Sequence, residues 1–171
     1  VIMIKIVLDV NGGDYSPTEL VLGAIKSVKQ IPDLNMVLCG PKADIEKILN
    51  ENKCDKTRFE VVDAPDTITN MDVPTVAIKQ KTESSLYKAI DLLKNNSDVC
   101  AMVSAGSTGA VLTGAFLRIG RIKGVSRPAI CPILPTVDRP NGMVAIIDSG
   151  ANVDCKPINL VHFAIMGSAY Y

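Results

Sequence analysis

Short apolar runs alternate with helical patterns through the first 62 residues. Met3–Leu8, Met36–Cys39 and Phe59–Val62 are mostly apolar, which is typical of buried strands. Two amphipathic segments separate them, with apolar positions on one helix face: Leu20, Val21, Ala24, Ile25 and Val28, then Ile45, Ile48 and Leu49. Because a β-α-β-α-β order requires right-handed crossovers between parallel strands, we expect a parallel sheet in a three-layer α/β/α fold.

Capping residues and prolines mark where these helices begin and end. Ser16 is predicted to cap the first helix, with Pro17 at its first position and Glu19 completing a capping box, and Pro32 ends it. Ser84 is predicted to cap a later helix that ends at Asn95-Asn96 and buries one apolar face: Leu86, Ala89, Ile90 and Leu93.

The polar segment Asp63–Lys81 interrupts this rhythm, and we expect a loop there with a short helix from about Pro74. Val99–Val103 is the next predicted strand. Thr108–Ile119 is the next predicted helix, and it is apolar nearly all round, so we expect it to be buried. A helical glycine costs about 1 kcal/mol relative to alanine. We therefore expect another backbone to approach two positions of this helix closely: Gly109 and Gly114.

The last third of the chain predicts a hairpin and a helix. Pro128–Pro135 and Met143–Ile147 read as strands joined by a loop that ends in Asn141-Gly142, so the sheet is expected to be partly mixed. A polar loop follows, and a helix begins at Pro157 that is too apolar for a free surface helix. We interpret residues 1–171 as a single α/β domain that forms the N-terminal portion of a longer chain.

Composition excludes several classes of function. The chain has 171 residues, of which 47% are hydrophobic and only 4% aromatic, and 18 basic residues balance 18 acidic ones. A neutral chain with few aromatic side chains is not expected to bind nucleic acid or a membrane surface. Five widely spaced cysteines without a C-x-x-C pair, and a single histidine, predict no metal site. We also expect no cofactor. Neither a signal peptide nor a spanning helix is apparent, so we expect a cytoplasmic protein.

Charge is unevenly distributed, because Val99–Val137 contains no acidic residue. Its charged side chains are all basic: Arg118, Arg121, Lys123 and Arg127. Two interpretations stay open: a buried segment with solvated basic ends, or a rim that attracts anions.

Three loops follow predicted strands at the edge where open α/β sheets bind ligands: Asp9–Asp14, Ser104–Gly109 and Asp148–Lys156. The middle loop is a small-residue turn at a helix start, where free N–H groups and the helix dipole favour a phosphate. The candidate phosphate- or substrate-binding residues are Asp9, Gly12, Gly13, Asp14, Ser104, Ala105, Gly106, Ser107, Thr108 and Gly109. The third loop supplies four candidate catalytic residues: Asp148, Asn152, Asp154 and Lys156.

Each candidate also has a structural interpretation. Asp9 could cap a helix or a loop, the Ser104 turn could be only a tight connection, and Lys156 could form a surface ion pair with Asp154. His162 fits a core histidine better than a base. The cysteines fit small core residues, except that Cys155 lies in the polar loop and stays open as a nucleophile.

The chain also resembles a known family along its whole length. The motifs that carry the resemblance are Asp9-x-x-Gly12-Gly13-Asp14, Met71-Asp72-x-Pro74, Ser84-Ser85, Ser104-Ala105-Gly106-x-Thr108-Gly109-Ala110, Gly120-Arg121-Ile122-x-Gly124-x-x-Arg127-Pro128, Gly150-Ala151-Asn152-Val153-Asp154-Cys155-Lys156-Pro157 and Phe163-Ala164-x-Met166-Gly167-Ser168. In order and spacing they are similar to the PlsX family, the phosphate acyltransferases of bacterial phospholipid synthesis. Two positions depart from the family pattern: Ser107, where Asn is usual, and Asn11, where Met is usual.

The resemblance implies an activity and an assembly. An acyl group would pass from acyl-acyl carrier protein to inorganic phosphate, giving acyl phosphate. The fold would be related to isocitrate and isopropylmalate dehydrogenases and to phosphotransacetylase, and the protein would be a homodimer. Any membrane contact is expected from a part beyond Tyr171.

In this reading the phosphate binds the Ser104 turn, and Lys156 or Asn152 stabilises the oxyanion or the phosphate. Asp148 or Asp154 orients them. The basic residues Arg118, Arg121, Lys123 and Arg127 would meet the acidic carrier protein, with a structural role for Arg127 as the alternative. Two other hypotheses stay open: a phosphotransacetylase-like or dehydrogenase-like enzyme on the related scaffold, and a non-catalytic fragment.

Overall fold

A computed structural model describes residues 3–15, 17–137 and 142–170. It divides into two compact units, Val1–Ile119 and Gly120–Tyr171. The predicted cap Ser16 and the loop residue Asn141 lie outside the described residues.

The first unit is built on a four-stranded parallel sheet. Its strands are β1 (Ile4–Asp9), β2 (Leu34–Gly40), β3 (Phe59–Asp63) and β4 (Val99–Ser104), in the spatial order β3-β2-β1-β4. The predicted strands and their parallel pairing are confirmed. Because β4 adds to the free edge of β1, the register sets Asp9 beside Ser104, and the loops after these two strands lie at one end of the sheet.

The described residues of this unit also form five α-helices and a short 3-10 helix over Lys56–Arg58. The α-helices are α1 (Thr18–Gln30), α2 (Lys42–Glu51), α3 (Pro74–Gln80), α4 (Ser85–Asn95) and α5 (Thr108–Gly114), which continues into a π-helical turn over Ala115–Ile119. Helix α1 begins at Thr18, so the prediction for Pro17 is wrong by one residue: Pro17 lies at the cap position and not at the first helical position. The Ser84 cap and the start of the short helix at Pro74 are confirmed: Ser84 Oγ accepts a hydrogen bond from the Tyr87 N–H, and α3 begins at Pro74.

Alternation along the strands divides the core between the two faces of the sheet. Leu8, Met36 and Leu38 pack with the apolar faces of α1 and α2. Val7, Val37 and Cys39 point the other way and pack with Ala89 of α4. The first unit is therefore an α/β fold with helices on both faces of a parallel sheet, as the pattern predicts.

The segment Thr108–Ile119 is less buried than predicted. Ala110 and Gly114 are buried, whereas Phe116, Leu117 and Ile119 are exposed. The structural reason for a glycine at position 114 also differs from the prediction. A Cβ there would overlap Ile90 Cδ1 and lie 3.1 Å from Ile78 Cδ1, so side chains approach it, not another backbone.

The second unit holds β5 (Ile133–Pro135), β6 (Met143–Ala145) and α6 (Pro157–Tyr170). The hairpin is confirmed, because β5 and β6 pair antiparallel. The prediction of a partly mixed sheet is wrong for the described residues, because β5 and β6 form a separate two-stranded sheet. Helix α6 begins at Pro157 as predicted. It buries Asn159 and Phe163 and leaves several large apolar side chains exposed: Ile158, Leu160, Val161, Ile165 and Tyr170.

In the described parts of the chain, no helix combines the length and the apolar character needed to cross a membrane.

Candidate functional site

The Asp9 carboxylate lies at the carboxyl end of β1 and is fully buried. Ser85 Oγ donates to Asp9 Oδ1 at 2.5 Å, and Ser104 Oγ donates to Oδ2 at 2.7 Å. No lysine or arginine among the described residues forms an ion pair with it. Both oxygens are thus directed at serine hydroxyls, which suits a residue that positions the turn after β4.

The loops after β1 and β4 pack backbone against backbone. A Cβ on Gly106 would lie 2.8 Å from the Gly12 carbonyl oxygen and 3.1 Å from Gly12 Cα. A Cβ on Gly12 would overlap the Asp9 carboxylate. The Gly106 N–H also donates to Ser104 Oγ at 3.1 Å. The absence of a Cβ at Gly106 lets the two loops meet this closely, and its absence at Gly12 leaves room for the Asp9 carboxylate.

The turn leads into α5 through a serine cap. Ser107 Oγ accepts from the Ala110 N–H at 3.4 Å, and the Ser107 carbonyl accepts from the Val111 N–H at 2.9 Å. The N–H groups of Thr108 and Gly109 donate to nothing within the described ranges. Because a capping serine uses a lone pair and keeps its proton, the Ser107 hydroxyl can still donate to a ligand.

A second polar loop borders this turn, and sequence reasoning did not assign it a role. Asn11 Nδ2 donates to Thr67 Oγ1, and Pro74 packs on Gly109. Asp72 Oδ2 accepts from the Thr69 N–H at 2.7 Å and from Lys81 Nζ at 3.0 Å. These hydrogen bonds, with the Thr69 backbone contribution largest, lower the pKa of Asp72 to about 2.

In the second unit, the Asp148 carboxylate organises the loop that follows β6. It accepts from the backbone N–H groups of Ile130 (2.9 Å), Ala151 (3.2 Å) and Asn152 (2.8 Å), and from Asn152 Nδ2 (2.9 Å). Burial alone would raise the pKa of Asp148. The hydrogen bonds from Ile130, Asn152 and Ala151 together outweigh burial, so its pKa lies below the usual aspartate value.

The Asn152 amide is already occupied. Its Nδ2 donates to the Pro128 carbonyl at 2.9 Å as well as to Asp148, and its Oδ1 accepts from Arg127 Nη1 at 3.4 Å. Arg127 Nη1 also lies 3.4 Å from the Asp154 carbonyl oxygen. This arrangement favours a positioning role for Asn152 and the structural alternative for Arg127.

Lys156 is the candidate with an available charge. Its side chain and that of Asp154 are exposed, and the ion pair considered between them does not form. Its backbone, in contrast, is held: the Lys156 N–H donates to Asn159 Oδ1 at 2.9 Å. The loop therefore presents a free ammonium group on a fixed backbone.

The four basic candidates differ in their contacts. Arg118 pairs with Asp91 at 2.5 Å and stacks over the Tyr87 ring at 4.7 Å. Arg121 Nη1 donates to the Ser126 carbonyl at 2.6 Å, and Lys123 is exposed. Their contact with a carrier protein stays a prediction.

The remaining candidates are peripheral or partly buried. Asp14 and Cys155 are exposed, and His162 is half-buried with Nδ1 3.4 Å from Ser126 Oγ. The structure thus brings Asp9, Gly12, Ser104 and Gly106 together in the first unit, and joins Asp148, Asn152 and Arg127 in the second. Sequence reasoning missed Asn159, whose signal is a lone amide in an otherwise apolar helix.

Comparison with known proteins places the chain in a family. The family model described as "Fatty acid synthesis protein" matches residues 4–171. A phosphate acyltransferase from Clostridium novyi (strain NT) is 49% identical over 167 residues, which are 98% of this chain and 49% of that protein. A phosphate acyltransferase from Dictyoglomus thermophilum is 45% identical over 166 residues, or 97% of this chain and 48% of that protein. The chain spans about half the length of the curated relatives it matches.

A solved structure shares the fold. The EutD phosphotransacetylase from Staphylococcus aureus aligns with a TM-score of 0.65 and 18% identity, over 95% of this chain and 51% of that one. At that identity the likeness concerns the fold alone. The family model and the relatives carry the assignment, and the chain belongs to the PlsX-type family of fatty acid synthesis proteins.

Proposed function

We propose that the whole protein transfers an acyl group from acyl-acyl carrier protein to inorganic phosphate. A phosphate oxygen attacks the thioester carbonyl, a C–O bond forms and the C–S bond breaks. The products are acyl phosphate and the carrier thiolate, which takes up a proton. The chain's membership of a family whose compared members are named phosphate acyltransferase supports this reaction.

The observation that carries the proposal is the turn over Ser104–Gly109. Two N–H groups, from Thr108 and Gly109, have no partner among the described residues. Ser107 and Thr108 add two hydroxyls to the same turn. Such donors suit a phosphate oxygen.

Lys156 is proposed to stabilise the oxyanion that develops on the thioester carbonyl. Its exposed side chain has no described partner, whereas both hydrogens of the Asn152 amide are engaged by Pro128 and Asp148. A cation beside a developing negative charge is an effective form of transition-state stabilisation. Asp148 acts here by shaping the loop, and Asp154 stays the alternative orienting group.

The partners of the whole protein follow from the family. An acidic carrier protein would meet basic side chains, of which Lys123 is exposed and Arg121 lies nearby in the sequence. A homodimer, a cytoplasmic location and a relationship to the isocitrate and isopropylmalate dehydrogenase fold belong to the same proposal. Light scattering on the full-length protein measures the dimer directly.

A phosphotransacetylase-like reaction, with acyl-coenzyme A as donor, is the second candidate because the fold resembles a phosphotransacetylase. The test is phosphate-dependent release of thiol by the full-length protein, with acyl-carrier protein and acyl-coenzyme A as parallel donors. Release from the carrier alone supports the first candidate, and release from coenzyme A alone supports the second. No release above the phosphate-free blank with either donor would overturn both.

A further inference from the structure

Asn159 is a buried polar residue, 4% exposed, that the proposed chemistry does not use. It lies in the first turn of α6, on a helix whose other buried residue is Phe163. A buried amide requires hydrogen-bond partners, and the identity of those partners indicates what it does.

The two ends of the Asn159 side-chain amide contact two different segments, one at Lys156 and one at Ser126. Oδ1 accepts from the Lys156 N–H at 2.9 Å, while the Asn159 N–H donates to the Lys156 carbonyl at 2.8 Å. The bond from the Lys156 N–H to Oδ1 is the backward half of a capping box, with Lys156 at the cap position. Nδ2 donates to Ser126 Oγ at 2.6 Å.

Ser126 connects this residue to the rest of the loop. The next residue, Arg127, donates to Asn152 Oδ1, and the Pro128 carbonyl accepts from Asn152 Nδ2. Asn159 therefore closes a ring of contacts: one end of the loop is held by Asp148 and the other by Asn159.

We propose that Asn159 is a positioning residue for Lys156. It fixes the backbone from which the ammonium group extends and couples that backbone to the Ser126 segment. This inference rests on the proposed function, because it requires that Lys156 act on the reaction.

Three variants of the full-length protein separate the contacts of Asn159. Asn159→Leu removes both side-chain hydrogen bonds of this residue. Because misplacing a reacting group by about 1 Å lowers the rate about 100-fold, kcat should fall about 10- to 100-fold. Asn159→Asp keeps an oxygen for the Lys156 N–H, and Ser126 can reverse its hydroxyl to donate to the other oxygen, so most of kcat should return. Ser126→Ala removes only the Nδ2 contact and should have the smaller effect.

A double-mutant cycle with Lys156→Met distinguishes positioning from general stability. If Asn159 acts through Lys156, Asn159→Leu should change kcat less than about twofold in the Lys156→Met background. Phe163→Leu is the matched control, because it perturbs another buried residue of α6. Its fold-change in kcat should multiply with that of Lys156→Met, as expected for independent effects.

Each outcome bears on the proposal. Full coupling together with the Asn159→Asp rescue supports it. Multiplicative losses from Asn159→Leu and Lys156→Met, or an unchanged kcat in Lys156→Met, would overturn it while leaving phosphate-dependent transfer intact. Failure of the proposed function itself is recognised separately, because the unmodified protein would then release no thiol in response to phosphate.

Discussion

Ser104 donates to Asp9 Oδ2 at 2.7 Å and accepts from the Gly106 N–H at 3.1 Å, so one hydroxyl links a buried carboxylate to the candidate phosphate turn. Ser85 donates to the other oxygen of the same carboxylate but has no described contact with the turn. The two serines therefore give a matched pair of substitutions.

Ser104→Ala and Ser85→Ala should both destabilise the first unit by about 1.5–3 kcal/mol, since each removes a hydrogen bond to a buried carboxylate. Only Ser104→Ala should also raise the KM for phosphate, by about tenfold, the equivalent of one lost hydrogen bond of about 1.4 kcal/mol. Urea unfolding and initial rates over a phosphate series measure the two effects. Equal KM values in the two variants would contradict the link between Ser104 and the turn.

Gly106→Ala should destabilise the protein by about 1–3 kcal/mol, because the added methyl group would meet the Gly12 backbone and no flexible side chain can move aside. Gly23→Ala is the control. This position is exposed on α1 with nothing within 4 Å of an added Cβ, so the change should stabilise by about 1 kcal/mol. Thermal unfolding of the two variants should therefore shift in opposite directions.

Asp148→Asn should lower both activity and the stability of the second unit. The carboxylate accepts four hydrogen bonds, and an amide would turn an NH2 group towards backbone donors. Asp154→Asn changes an exposed side chain without a described partner, and its stability should stay within about 0.5 kcal/mol of the unmodified protein. Chemical denaturation and the phosphate-dependent thiol-release assay compare the two variants. Equal losses of stability would contradict the role of Asp148 in organising the loop.

The Asp72 carboxyl should titrate near pH 2, below its usual value of 3.8. Because the folded-state pKa is depressed, the stabilisation from Asp72 is fully present above the unfolded value and is lost as pH falls through the folded value. Carboxyl NMR titration measures this directly. Lys81→Met should move the titration upward, and an unchanged midpoint would exclude Lys81 as a cause.

The cysteines should differ sharply towards iodoacetamide at pH 8. Burial, reinforced by the nearby Asp9 charge, raises the pKa of Cys39 to about 12, so its thiol should stay unmodified in the folded protein. Cys100 and Cys155 are exposed and should react. Mass spectrometry identifies the modified sites. Cys155→Ala should retain transfer activity. Loss of activity in this variant would instead support Cys155 as a nucleophile.

Local sequence patterns predicted which segments form helices and strands better than they predicted what those segments pack against. The strands, the Ser84 cap and the start of α3 follow from runs of adjacent residues, and the structure agrees with each. The burial of Thr108–Ile119 does not follow from its composition. Apolar side chains indicate that a helix favours a covered face, but not which other part of a protein covers it.

The site shows the same division. The sequence marked the loops that contain Asp9 and Ser104, because both end predicted strands. It could not show that Asp9 is saturated by Ser85 and Ser104, since those contacts span 76 and 95 residues. Asn159 was missed for a similar reason: its partner Ser126 lies 33 residues away, and only tertiary structure joins them.

The order in which the chain is synthesised gives the Asp9 contacts a further consequence. When β1 leaves the ribosome, neither hydroxyl that will surround its terminal carboxylate has been made. Ser85 arrives with α4 and Ser104 with β4, which is the last of the four sheet strands along the chain. An unpaired carboxylate is costly to bury. We therefore expect the end of β1 to lose its water only when β4 docks and the turn after it assembles.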